Sequence, residues 1–188
     1  GATAQTSFRR CALVVRRQCA GNTRLLGSPY AAPDPPRDDL RHEEGPAMTV
    51  TSATITPASA ARAAIEPAAA RWGAFADAPS LISLASSAFE CARRDKHQEV
   101  SSINQRFHQA LVAGLGSPTL DEQMSNLLAR MRLTFLLVIP RYPRLHADHI
   151  QNNVDVATLI ADGKREEATT HLRDSLLETC DTILSFTD

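Results

Sequence analysis

The chain has 188 residues, 43% of them hydrophobic, with a formal net charge of −1. That length holds one domain of ordinary size plus a tail. The near-zero charge gives no global basic field for nucleic acid, and no apolar run reaches the eighteen or so residues of a membrane-spanning helix. Four cysteines, Cys11, Cys19, Cys91 and Cys180, form no CxxC pair. They argue against a disulfide framework or a thiolate zinc site and read as small hydrophobes in a reducing compartment.

The chain changes character near residue 50. Residues 1–47 hold Pro33, Pro35, Pro36 and Pro46 and no sustained period. Arg9, Arg10, Arg16, Arg17 and Arg24 precede the first acid, Asp34. The stretch "FRRCALVVRRQC" is open to three readings: a targeting peptide, a basic arm, or a leader with Met48 as the natural start. The leader reading is carried forward, with little order expected in residues 1–50.

Residues 55–188 read as helix throughout. "TPASAARAAIEPAAARWGAFA" opens with Thr56 as cap and Pro57 in the first turn. Pro67 is expected to kink or divide that helix. "DAPSLISLASSAFECARRD" places Asp77 as a cap before Leu81, Leu84, Ala88 and Cys91 at helical spacing. "HQEVSSINQRFHQALVAGL" ends at Gly116. "SPTLDEQMSNLLARMRLTFLLVI" opens on Ser117 and Pro118, and Pro140 stops it. "PRLHADHIQNNVDVATLIADG" runs to Gly163, and "KREEATTHLRDSLLETCDTILSF" closes the chain. No window gives bounded period-two alternation, so the fold class is all-α, an antiparallel bundle of six to seven helices.

Histidines carry the candidate chemistry. His108 lies on the apolar side of the third helix with Leu111, Val112 and Leu115, and Asn104 stands one turn before it. In the fifth helix His146 and His149 are three apart, with His149 on the side of Asn153, Val156 and Ile160. His171 and Ser175 are one turn apart in the last helix. Imidazoles converging from several helices are the donors a divalent metal uses, although a single hydrogen-bonded core histidine is commoner. Arg130 and Arg132 on the fourth helix are candidates to clamp a carboxylate, and at most one of them points inward. No Gly-rich phosphate loop, GxSxG or HExxH is present.

"ARAAIEPAAARWGA", "INQRFHQALVAGLGSPTL" and "HADHIQNNVDVATLIADGKREEATTHLRDSL" resemble, in order and spacing, the FCD domain. This is the C-terminal effector domain of GntR-type transcriptional regulators of the FadR subfamily. The resemblance covers about residues 57–188 and includes Arg62 and Glu66 in an R-x-x-x-E opening. It implies a dimerising helical bundle in the bacterial cytoplasm, with a small organic acid as effector. In many members a divalent metal (zinc, nickel or manganese) sits at the cavity floor. The family's ligands fall on Asn104, where an Asp is usual, on His108, on His149, and on Ser175, with His171 one turn earlier. Effector contacts are expected from Asn104, His108, His149, Ser175, Arg62, Arg130 and Arg132. An amide binds metal more weakly than a carboxylate, so two cavities are foreseen: one with metal, in which His171 serves as a ligand, and one without. The winged helix-turn-helix that carries DNA binding in such regulators is not recognisable in residues 1–50. Two other functions compete: a metal-dependent small-molecule enzyme using His108 and His149, and a structural helical dimer with a decayed cavity.

Overall fold

A computed structural model describes residues 52–186. The expectations for residues 1–50 lie outside the described residues. Among those described, every regular element is helical: α1 Ser52–Trp72, α2 Ala78–Arg93, α3 His97–Ala113, α4 Pro118–Val138, the single turn α5 Leu145–Asp148, α6 Ile150–Ala161 and α7 Arg165–Leu184. The all-α bundle read from the sequence is the observed fold.

Two helix boundaries differ from the sequence reading. α1 begins at Ser52, not at the Thr56–Pro57 cap, so Pro57 lies inside the helix. As the sixth residue of the helix, Pro57 offers no N–H to the Ala53 carbonyl, so one intrahelical bond is lost near the N-terminal end. Pro67 does not divide the helix either. It is held in place by burial of Glu66, Ala69 and Ala70 around it. The second difference is in the fifth predicted helix. His149 (φ −99°, ψ 1°) leaves helical geometry and ends α5 while starting α6.

The cap at α4 is as read: Ser117 Oγ accepts from Leu120 N at 3.4 Å, with Pro118 following in the first turn. Gly163 ends α6 in the left-handed region at φ 74°, a conformation only glycine adopts without strain.

α3 is the central helix, packing against α1, α2, α4, α5 and α6. Its Phe107, Leu111 and Val112 join Ala69 and Ala70 of α1, Leu81 and Ala85 of α2, Met124 and Leu128 of α4, Val156 and Ile160 of α6, and Leu172 of α7 in the main core. Full burial of each large apolar side chain contributes roughly 1.5–3 kcal/mol. A second cluster, Met131, Phe135, Val138, Leu145 and Ile183, fastens α5 to α4 and α7. At one end Phe75 fills the gap between two glycines. A Cβ on Gly114 would meet Phe75 Cε1 at 2.5 Å, and one on Gly73 would meet Phe75 Cε2 at 2.8 Å. The Arg165 guanidinium covers the same ring at 5.0 Å from its centroid.

Candidate functional site

The apolar stripe of α3 carries His108 into the centre of the bundle, where it is 5% exposed. A buried ring needs a partner, and α1 supplies it. His108 Nδ1 lies 2.6 Å from Glu66 Oε2, and Arg62 Nε donates to Glu66 Oε1 at 2.6 Å. Arg62 and Glu66 are one helical turn apart, so both reach inward from one face. Burial by itself would raise the Glu66 carboxyl, but the Arg62 guanidinium and the His108 ring outweigh it and hold the group below its usual range. Burial lowers His108, with Glu66 opposing the effect only in part. The ring is therefore neutral, its Nδ1–H donates to the ionised Glu66, and Nε2 is left as an acceptor.

Beside this network lies a cavity of about 30 Å³. Arg62, Asn104, His108, His146, His149 and Asn153 line it, with Ser175 and Thr179 of α7 and the apolar Phe135, Leu145, Leu172 and Leu176. Most of its polar groups satisfy one another. Asn153 Nδ2 donates to Asn104 Oδ1 at 2.8 Å, and Asn152 Nδ2 to Ser175 Oγ at 3.2 Å. Thr179 Oγ1 donates to the Ser175 carbonyl at 2.8 Å, so the 3.3 Å contact with His149 Nε2 has the ring as donor. His149 Nδ1 then accepts from Asn152 Nδ2 at 3.4 Å.

His146 is different. It is 7% exposed, packed edge-on against Phe135 with ring centroids 4.5 Å apart, and its Nε2 meets no hydrogen-bond partner. Burial, and then the proximity of His108 and His149, lower it to about 4. Burial also lowers His149.

Of the residues singled out from the sequence, Arg62, Asn104, His108, His149 and Ser175 come together on this cavity. His171 does not. It lies in an outer groove on α7 with Glu166, Glu167 and Asp174. Arg132 lines a different groove, between α3 and α4, and its Nε donates to Gln105 Oε1 at 2.7 Å. Arg130 is exposed. Sequence reasoning did not select Glu66, His146, Asn153 or Thr179 as site residues. Glu66 was within reach, since its spacing from Arg62 already suggested a pair. His146 could be found only once α5 was known to turn its ring toward Phe135.

The resemblance raised a divalent metal at this floor, which needs three or four converging donors. Asn104 Oδ1 already accepts from Asn153, both His149 nitrogens are engaged, and no carboxylate lines the cavity. Among the described residues, no group of three or more His, Cys, Asp or Glu side chains is arranged to hold an ion. The residues present do not fit the metal.

Residues 58–178, well over half of the chain, match the FCD domain family. No curated protein and no solved structure matches the sequence. No described helix is long and apolar enough to cross a membrane. With five long helices around the central α3 among the described residues and a polar floor between them, this chain belongs to the FCD family, the C-terminal domain of GntR/FadR-type regulators.

Proposed function

We propose that the domain senses a small organic acid in the cavity under His108 and passes that signal through a homodimer, in the cytoplasm and without enzymatic turnover. The observation that carries this reading is the buried polar floor itself. Four helices and the α5 turn commit Arg62, Asn104, His108, His146, His149, Asn153, Ser175 and Thr179 to one small space. Burying that many polar groups is costly unless they have partners, and a structural bundle has no need of it. Arg62, paired with Glu66 behind it, is the one cationic side chain of the lining, and no Asp or Glu lines the space itself.

At about 30 Å³, the cavity holds a water rather than an acid, and ligand pockets usually measure about 300–1,000 Å³. The described conformation is thus the closed form. Binding an acid opens it, and a ligand that favours the open form shifts the equilibrium by its difference in affinity for the two.

Dimerisation is proposed through the outer face of α4. Leu133, Leu136 and Leu137 are exposed there at helical spacing, Leu136 to 70%. A contiguous apolar face of this kind marks an interface. DNA is a partner only through a winged helix-turn-helix, which is not recognisable in residues 1–50.

Thermal-shift titration of the full chain with two- to six-carbon carboxylates, before and after chelator treatment, tests the reading. A ligand at one hundred times its Kd adds about 2.7 kcal/mol, enough to raise the Tm by several degrees. A flat response to every acid, with and without zinc, nickel or manganese, would leave only the structural dimer.

A further inference from the structure

We propose that His146, on the α5 turn, receives the carboxylate oxygen in this cavity directly, with no metal between them. The inference rests on the sensing reading above and adds the residue and the mode of recognition.

The accounting of polar atoms points to this residue. Around the cavity, Asn104 is held by Asn153, Ser175 by Asn152, and both nitrogens of His149 by Asn152 and Thr179. Arg62 and His108 share Glu66. His146 Nε2 alone among the side-chain atoms of this lining is fully enclosed with no partner. Buried nitrogens are left unpaired in folded proteins only rarely, and each needs an explanation. A ligand oxygen is the explanation that fits this one.

The surroundings favour an anion. A neutral imidazole with Nε2–H donates to a carboxylate oxygen, and the Arg62 guanidinium, paired with Glu66, is the one cationic group of the same lining. The ring is already oriented: Phe135 packs edge-on against it, and Leu145 beside it is fully buried. No rotamer search is needed when the ligand arrives, which favours affinity. α5 is also the shortest element of the bundle, bounded by residues 139–144 and by the break at His149. His146 sits within this turn.

The full chain, dialysed against chelator, is titrated with formate and acetate. Histidine ring nitrogens are followed by long-range proton–nitrogen NMR, and affinity by calorimetry. The expected result is a saturable movement of the His146 Nε2 resonance. His146→Phe, which keeps an aromatic ring on Phe135, should weaken acetate by at least about tenfold, the loss of a charge-assisted hydrogen bond. His146→Gln, which keeps an N–H donor, should weaken it less. Acetate binding wild type and His146→Phe alike would overturn this inference and leave the sensing reading intact. So would acetate binding that appears only after zinc or nickel is restored. Failure of wild type to bind either acid in any metal state would overturn both.

Discussion

Replacing Glu66 by alanine removes the acceptor of two short hydrogen bonds and leaves the Arg62 guanidinium buried, at 5% exposure, without its counter-charge. Breaking a buried ion pair from one side costs about 3–5 kcal/mol. His108 also loses the partner that fixes its tautomer. A domain of this size has a total stability of about 5–15 kcal/mol, so the variant should fold but lie close to the edge. In urea, with a slope of about 1–3 kcal/mol/M, the midpoint followed by circular dichroism should fall by about 1–5 M. Arg71→Ala is the control. It removes an ion pair to Glu166, whose side chain is 76% exposed, and pairs of that kind are worth about 0–1 kcal/mol. Equal midpoints for Glu66→Ala and Arg71→Ala would refute the claim that the Arg62–Glu66–His108 network is a desolvated structural unit.

Stability should fall on acidification from pH 7 to pH 4. His108, His146 and His149 all have lowered values in the folded state, so the unfolded chain binds more protons as the pH drops below 6.5. His146 alone, at about 4 against 6.5 when unfolded, removes about 3 kcal/mol by pH 4; urea midpoints across that range check it, and His146→Phe should flatten the slope. Gly114→Val should lower the Tm, because even a Cβ there meets the Phe75 ring at 2.5 Å, and overpacking of this kind costs about 1–3 kcal/mol. Leu136→Glu with Leu137→Glu should give a monomer by sedimentation with unchanged helix content, since both side chains are exposed.

Much of the fold was legible because its signals are local. The Ser117–Pro118 start, the glycine ends and the apolar spacing of α3 are set within a few residues, and packing reinforces them. Errors arose where tertiary contacts override a local rule. Pro57 satisfies the first-turn preference, yet the helix extends back to Ser52. Pro67 should break a solvent-exposed helix, but burial of Glu66, Ala69 and Ala70 against neighbouring helices holds the backbone through it. At the site, the R-x-x-x-E spacing of Arg62 and Glu66 marked the resemblance but not the network, because spacing does not reveal burial on both sides of an alanine-rich helix. The break at His149 leaves no mark in the periodicity, so the inward turn of His146 could not be deduced.

The same network gives the cavity a route to the rest of the molecule. Arg62 and Glu66 belong to α1, the first described helix of the domain, and Glu66 is tied to His108 of the central α3. α1 also lies along α7, which contributes Ser175 and Thr179 to the floor. In the proposed sensing role an anion drawn to Arg62 competes with Glu66 for the guanidinium, and this bears on the Glu66–His108 hydrogen bond, the one of the two that joins α1 to α3. Packed helices have a few discrete arrangements rather than a continuum, so a small change in that pairing selects between positions of α1. Under the proposed sensing role, what a bound acid would change is the placement of α1, the first described helix of the domain. That is the element any upstream DNA-binding segment would feel first.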